Sequence, residues 1–334
     1  MKMLTKATLD KFSRMTNAEA YVEIFHNRMM VSLSDSSVRG DCRGNSLRAH
    51  FYPSLRRLLA RYRDRGEINI LDIGAGSGEV VDAVVRHFPA VLSPVEPNPL
   101  MLERYLDAVS MAPMVQLGST FPGPVQALYP TGTNAGWLYN LPAQDVVMVL
   151  HSIYPLTIFT ARDINPASDI VSFISTMYSK LSDGGSIFIV YADQPRNYLG
   201  QAGLYYFDKV DPASAYNIRT IWRAREALLE GGGVADLLDN EFPDYFCDVQ
   251  SVRTNGEVYG DSMEDMVAYC SLGELTSTDA RPFDMKKLLY CSEYIETFMG
   301  SFFDFHRETS GPRKGMIAAP APQVICEIRK ERRR

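Results

Sequence analysis

The sequence has few cysteines and no long hydrophobic run. Its five cysteines are scattered and lack the C-x-x-C spacing of many redox and zinc sites. Such a set fits reduced, structural thiols, so we expect a cytosol-like compartment and a cytoplasmic protein. No run reaches the ~18 apolar residues of a membrane span, and residues 1–12 have no apolar signal-peptide core. We therefore expect no membrane partner.

Basic charge is also scarce. The chain has 34 Lys and Arg against 40 Asp and Glu, a formal net charge of -6, which argues against a nucleic-acid partner. The basic tail, residues 329–334, is interpreted as a solvated terminus. Neither heptads, repeats nor an Asp/Asn metal cluster appears, so we predict no metal and make no prediction of oligomeric state. With 334 residues, 46% of them hydrophobic, the chain can form one large domain or a domain with a cap.

One stretch carries a nucleotide-binding pattern. Ile68–Ile73 is a short β-branched run typical of a buried strand, and it leads directly into residues 74–78, G-A-G-S-G. Residues 79–88 then have apolar side chains at helical spacing. A second apolar run ends at Glu96, about 20 residues beyond the glycines, where a βαβ unit places the carboxylate that binds ribose hydroxyls.

The loop itself indicates which nucleotide binds. A dinucleotide site has G-x-G-x-x-G with a helix N-terminus facing the pyrophosphate, whereas here Glu79 occupies the place of the third glycine. A carboxylate there would lower the positive potential that a pyrophosphate needs. No Gly-Lys-Ser/Thr follows, which excludes a P-loop. The pattern favours a ligand with an adenosine and no phosphate, namely S-adenosylmethionine, with S-adenosylhomocysteine as product.

These residues resemble the first motif of class I S-adenosylmethionine-dependent methyltransferases, an acidic residue followed by G-x-G-x-G. Residues 71–78, L-D-I-G-A-G-S-G, and residues 95–97, V-E-P, match it. The alternative is that three glycines make only a turn and that Glu96 ends a solvated strand. The resemblance predicts a cofactor site formed by Asp72, Gly74, Gly76, Gly78, Glu96, Asn98, Met101, Ser119, Thr120 and Leu150.

The order of elements predicts an α/β fold. Strand and helix patterns alternate up to the strand at residues 186–191, which favours a doubly wound, mostly parallel, Rossmann-like sheet. Methyltransferases of this class have seven strands, the last antiparallel, and residues 246–252 and 323–328 would complete that set. We predict an N-terminal helical lid at 1–65, a cofactor-binding core at 66–193, and helical cap insertions with the final strands at 194–334.

Four details of these segments are also predicted. Residues 4–30 and residues 284–307 each have the apolar spacing of one long helix. Pro94 removes a ladder donor from the second strand, so we expect a bulge or a short strand there. In the helix that follows Asn98, the side chain of Tyr105 is expected to point inward.

A histidine and a tyrosine follow a buried strand at residues 145–150. Ligands of open α/β sheets bind at the carboxyl ends of the strands, so His151 and Tyr154 are predicted catalytic residues. An imidazole titrates near neutral pH and can accept a proton from an amine or hydroxyl that is being methylated. The alternative is that His151 only bonds a loop carbonyl or orients the cofactor.

Residues 194–217 are aromatic-rich and are predicted to be irregular. Their tyrosines can line a pocket for a cation or a ring, and Tyr198 is the predicted example, although packing in a core is the favoured alternative for any single one of them. A cap built from residues 253–322 would imply a substrate small enough to be enclosed.

A narrower resemblance is to histamine N-methyltransferase and its small-amine relatives. It is carried by residues 21–25, 95–98, 151–154 and 324–327, and it implies a substrate pocket formed by Tyr21, Phe25, Asp35, His151 and Tyr154. The family has a glutamine at the position of His151, an asparagine near Ala318, and a glutamate where Asp35 stands. These departures favour a related amine, amino acid or biosynthetic intermediate over histamine.

The sequence thus predicts a small-molecule N-methyltransferase. In-line transfer would depend mainly on holding two reactants close and aligned in a dry pocket. The alternatives are an O-methyltransferase of a hydroxyl or carboxyl substrate, and a non-catalytic binding protein on the same fold.

Overall fold

The computed structural model describes residues 3–30, 47–129, 132–153, 166–275, 279–311 and 313–333. The chain forms two compact units, each assembled from separate segments. The first unit comprises residues 1–50, 192–220 and 253–323, and the second comprises residues 51–191, 221–252 and 324–334.

A seven-stranded sheet forms the centre of the second unit. Its strands are β1 Ile68–Ile73, β2 Ala90–Val95, β3 Val115–Leu117, β4 Gln144–Leu150, β5 Leu181–Ala192, β6 Tyr245–Thr254 and β10 Gln323–Arg332. The strand order is β3-β2-β1-β4-β5-β10-β6. The sheet is mostly parallel with an antiparallel last strand, which confirms the predicted α/β fold class.

Helices on this sheet bury its central strands. The helices are Glu79–Ala83, Pro99–Ser110, Ala135–Asn140, Pro166–Ser179 and Gly233–Glu241, together with Leu47–Ala60 and Pro212–Arg225, each of which has residues in both units. Short 3₁₀ turns lie at Arg63–Arg65, Val85–His87 and Val125–Leu128, and a π-helical turn at Glu226–Glu230. β4 is buried along almost its whole length, as expected of an interior parallel strand covered on both faces.

Pro94 lies in β2 without disturbing it. We expected a bulge or a short strand there, because proline removes a ladder donor. Instead the parallel register of β1 and β2 is unbroken, with Asp72 opposite Pro94. The amides of Ala90 and Glu96 donate hydrogen bonds to the segment that contains β3. Backbone nitrogens alternate between the two sides of a strand, so the nitrogen of Pro94 faces β3 as well. β3 has already ended at Leu117, and no ladder bond is lost.

The first unit has its own core of helices and a small sheet. Its helices are Lys6–Phe12, Asn17–Tyr21, Tyr198–Val210, Met263–Cys270 and Met285–Phe298, with a π-helix at Val22–Met30 and 3₁₀ turns at Gln194–Arg196 and Ser271–Glu274. Its strands are β7 Glu257–Gly260, β8 His306–Arg307 and β9 Ile317–Pro320, in the order β7-β9-β8. Both ladders are antiparallel. The helix Met263–Cys270 and this sheet were not predicted.

Three helix predictions for this unit were wrong in detail. Residues 4–30 were predicted as one helix, but Thr16 and Glu19 form a capping box that starts a new helix after a break at residues 13–16. Residues 194–217 were predicted as irregular, yet a helix begins at Tyr198 because the Asn197 side chain accepts the Gly200 N–H. The helix predicted over 284–307 ends at Phe298, shortly before Gly300.

Two bulk properties follow from the described residues. Cys247, Cys270, Cys291 and Cys326 are buried free thiols. Among the described helices, none combines the length and low polarity that a bilayer crossing requires.

Candidate functional site

The glycine-rich loop leaves β1 at the point where the strand order reverses. β1 pairs with β2 on one side and with β4 on the other, which makes the carboxyl end of β1 the topological switch point of the sheet. The Gly74 amide donates to the carbonyl of Val95, at the end of β2, over 2.8 Å. Gly74 and Gly76 have φ of 66° and 61°, a region that glycine adopts without steric cost.

The space around these two glycines differs. A Cβ added to Gly74 would lie 2.3 Å from the Cβ of Ser152, so this glycine permits a contact within the protein. A Cβ added to Gly76 would meet no atom within 4 Å. Gly76 therefore presents bare backbone to open space, as a loop that receives a ligand must.

Glu96 fixes the loop from the end of β2. The side chain is only 6% exposed, and its carboxylate accepts the Gly76 N–H and the Asn98 N–H, each over 2.9 Å. Burial raises the pKa of Glu96, and these two backbone bonds oppose the rise. A carboxylate has about four acceptor positions. With one bond to each oxygen, Glu96 retains the capacity to accept two ribose hydroxyls.

We expect Glu96→Ala to weaken S-adenosylmethionine binding by about 1.5 to 3 kcal/mol, because charge-assisted hydrogen bonds to the ribose are lost. Calorimetric titration measures the affinity. Glu103→Ala, at an exposed position of the helix Pro99–Ser110, is the matched control and should bind normally. Equal affinities for the two variants would contradict the ribose-binding role.

Asp72 is a buried carboxyl group beneath the loop. It is 1% exposed, and the Tyr105 hydroxyl donates to it over 3.0 Å. Burial, with contributions from the charges of Glu96 and Glu79, raises the pKa of Asp72 to about 7. Glu79 opens the helix Glu79–Ala83 and accepts the Ser77 hydroxyl over 2.5 Å. Three carboxyl groups thus surround the loop and favour a cationic ligand.

The pKa of Asp72 predicts a dependence of stability on pH. The pKa of an aspartate in an unfolded chain is about 3.9. Between about pH 4 and pH 7 the folded chain therefore binds more protons than the unfolded chain, so the free energy of unfolding falls as the pH rises. Asp72→Asn should remove the contribution of Asp72 to this fall in the free energy of unfolding. The variant should be more stable than wild type at pH 8 by on the order of 1 to 4 kcal/mol. Urea unfolding at pH 5 and pH 8 measures both effects. Asp107→Asn, exposed on a neighbouring helix, is the control, and an unchanged slope in Asp72→Asn would contradict the assignment.

The remaining predicted cofactor residues lie in the second unit. Asn98 is 3% exposed and caps the helix Pro99–Ser110, accepting the amides of Leu100 and Met101. Met101 is buried in the same helix. Ser119 and Thr120 lie in sequence between Gly118 and Phe121, whose backbone amides donate hydrogen bonds to carbonyl groups of β2. All of these residues, and also Gly78 and Leu150, remain predicted contacts of the cofactor.

His151 has an unusual backbone conformation. Its φ of 54° makes it the one described non-glycine residue with a positive φ. Histidine adopts this region more often than most residues, and such conformations cluster at functional sites. The amide of His151 donates to Val190 on β5 over 2.7 Å, and its ring lies 6.1 Å from that of Phe51. The chain thereby turns at the carboxyl end of β4, and the catalytic role of His151 stays a prediction.

The other predicted substrate residues belong to the first unit or lie outside the described residues. Tyr21 and Phe25 belong to the first unit and stack on each other at 5.4 Å. Tyr198, also in the first unit, is 2% exposed and packs against Phe303 and Phe305. Asp35 and Tyr154 lie outside the described residues.

Two residues of the site were missed from sequence. Ser152 donates to the carbonyl of Ile73 over 2.5 Å and lies against Gly74, so it joins the end of β4 to the loop. Tyr105 was expected only to point inward, but its hydroxyl donates a hydrogen bond to the carboxyl group of Asp72. The position of Ser152 directly after β4 indicated a role in the site, whereas no local sequence pattern indicates the contact of Tyr105 with Asp72.

Comparison with known proteins gives remote structural similarity. No protein-family model matches the chain. Likewise, no curated protein matches it. The plantazolicin methyltransferase BamL, crystallised with a triazolic desmethylPZN analog and SAH, is 13% identical with a TM-score of 0.41, and the match covers 98% of this chain and 99% of that one.

Two further structures are similar at the same level. YcgJ from Bacillus subtilis is 12% identical with a TM-score of 0.44, over 83% of this chain and 99% of that one. A SAM-dependent methyltransferase from Leishmania major is 19% identical with a TM-score of 0.36, over 53% and 59%.

Proposed function

We propose that the chain transfers a methyl group from S-adenosylmethionine to a small-molecule acceptor, most readily an amine nitrogen. The observation that carries this proposal is the charge around the glycine loop. Glu96 accepts the Gly76 N–H, Glu79 accepts the Ser77 hydroxyl, and the carboxyl group of Asp72 is buried beneath the loop. S-adenosylmethionine, with its sulfonium and ammonium groups, suits such a loop, whereas the pyrophosphate of a dinucleotide would be repelled.

The residues present fit this cosubstrate. Glu96 has acceptor capacity for the ribose hydroxyls, and the open space at Gly76 lets an amino-acid tail approach the backbone. Thr120 and Ser119, beside the end of β2, are proposed to lie near the adenine. S-adenosylmethionine supplies an electrophilic methyl group on a positively charged sulfur.

The chain's own contribution would be to orient the acceptor and take its proton. An amine attacks only when neutral, so a nearby base is needed. His151 is proposed for that role because its constrained backbone holds it at the carboxyl end of β4. Tyr21, Phe25, Asp35, Tyr154 and Tyr198 remain proposed substrate contacts, and a histamine N-methyltransferase-like acceptor remains the narrower proposal.

Transfer of a labelled methyl group tests the proposal. The purified full-length chain is incubated with methyl-labelled S-adenosylmethionine and a panel of small primary and secondary amines, and then with phenols and carboxylic acids. Labelled amine product in the wild type, and none in Gly76→Ala, supports N-methylation. Label found only in the hydroxyl or carboxyl panel would support the O-methyltransferase alternative. Absence of transfer to either panel would count against catalysis.

A further inference from the structure

Three side chains with metal-ligand chemistry meet on the small sheet of the first unit. These are the carboxylates of Glu257 and Glu308 and the imidazole of His306, and one ligand atom from each lies within 4.8 Å of the other two. The two glutamates are partly buried, while His306 is exposed. The proposed methyl-transfer site uses none of them.

The register of the sheet explains why they meet. His306 on β8 pairs with Ala318 on β9, and Glu257 on β7 pairs with Pro320, two residues further along β9. Residues two apart on a strand share a face, and paired residues share it too. Glu308 lies two residues after His306, and its amide bonds to Met316, so it falls on the same face. Because Ala318 is small, side chains of the two outer strands can approach each other above it.

His306 and Glu308 are within hydrogen-bond distance, and all three groups are close enough together to share one ion. Nε2 of His306 lies 3.2 Å from Oε1 of Glu308 and 3.7 Å from Oε1 of Glu257. The second distance exceeds the 2.7–3.2 Å range that hydrogen bonds of this kind show. Zinc–nitrogen and zinc–oxygen bonds of about 2.0–2.2 Å place tetrahedral ligand atoms about 3.4 Å apart. The observed pair of distances brackets that value.

A neighbouring tyrosine orients one of the carboxylates. The Tyr259 hydroxyl donates to Oε2 of Glu257 over 2.6 Å, which leaves Oε1 directed at His306. Tyr259 is 2% exposed, and the Arg313 guanidinium lies 4.0 Å from its ring centroid, so its position is fixed by packing. Such outer partners, which hold a ligand in one orientation, are a regular feature of metal sites.

We propose that Glu257, His306 and Glu308 bind a divalent transition-metal ion, with Zn²⁺ as the best fit. One imidazole and two carboxylates suit zinc, whereas magnesium and calcium prefer oxygen ligands alone. Three protein ligands leave a fourth tetrahedral position for water. The site joins the outer strands β7 and β8 and is independent of the proposed methyl transfer.

Calorimetric titration of the full-length chain with ZnCl₂ tests this site. Wild type should bind one equivalent, and His306→Ala and Glu308→Gln should bind at least ten-fold more weakly. His87→Ala and Glu296→Gln, exposed residues of the same types, are the matched controls and should bind as wild type does. The unfolding temperature should rise with Zn²⁺ in the wild type and the controls, but not in His306→Ala.

Tyr259→Phe gives an independent test, because it leaves all three ligands in place. Loss of the hydroxyl that orients Glu257 should weaken zinc binding about 10-fold or more. Circular dichroism establishes that each variant is folded. Failure of the wild type to bind Zn²⁺, or equal binding by wild type and folded His306→Ala, would overturn the proposal, since buried thiols or other histidines would then account for any heat.

Discussion

Replacing Gly76 by valine should abolish S-adenosylmethionine binding while the chain stays folded. The backbone at Gly76 faces open space, so the Cβ of the new side chain meets no protein atom, and the side chain would extend into the volume proposed for the ligand. Extra atoms in a space that is already filled cost about 1 to 3 kcal/mol where neighbours can yield, and more where they cannot, and here the bound ligand would fill that space. We expect affinity to fall on the order of 100-fold or more, as measured by calorimetric titration.

Two alanine variants separate ligand exclusion from backbone strain. Gly232 also has a positive φ, of 76°, and open space, but it lies at the start of the helix Gly233–Glu241. Gly232→Ala and Gly76→Ala should lose similar stability, about 1 to 2 kcal/mol, and only the second should lose affinity. Gly74→Ala should lose more stability than either, because its Cβ collides with Ser152. Normal affinity in a folded Gly76→Val variant would contradict the position of the cofactor.

The second large effect is expected at His151. If its imidazole accepts the proton of the substrate, His151→Asn should lower kcat on the order of 10²- to 10⁴-fold, while S-adenosylmethionine still binds. Asparagine tolerates the positive φ at this position, so the backbone turn should persist. Steady-state kinetics with a methyl acceptor measure the loss.

Two further variants test whether the loss of activity in His151→Asn comes from the missing proton acceptor. His151→Phe removes the proton acceptor and also strains the turn, so it should lose as much activity and more stability than His151→Asn. His87→Asn, at an exposed position of the second unit, should behave as wild type. Unchanged turnover in His151→Asn would show that the imidazole is not the base and would leave its role to orientation.

The core of the site could be predicted because its signals are local. A β-branched run, three glycines, a helical period and Glu96 follow one another within about 30 residues, the length of one βαβ unit. The doubly wound, mostly parallel sheet followed from the alternation of strand and helix patterns, the seven strands with an antiparallel last strand were implied by the resemblance, and both are confirmed. The partners of the site were not predictable in this way. Tyr105 reaches Asp72 and Ser152 reaches Gly74 only through tertiary packing.

The first unit was harder to predict because its elements depend on caps and on pairing between distant segments. The capping residues Thr16 and Asn197 were present in the sequence and were overlooked. Pairing of β7 with β9 joins residues some 60 positions apart and leaves little local pattern, and β8, which pairs with β9 across about 10 positions, is only two residues long. The boundaries proposed for the lid, core and cap, at residues 65 and 193, stay a prediction.

The most direct test of the central claim is calorimetric titration of the full-length chain with S-adenosylmethionine and, separately, with NADH. The carboxylate of Glu79, at the start of the helix where a dinucleotide would place its pyrophosphate, predicts binding of the first at one equivalent and none of the second. Loss of that binding in Gly76→Val would place the ligand at the loop. Binding of NADH with no binding of S-adenosylmethionine would contradict the proposed cofactor and, with it, methyl transfer.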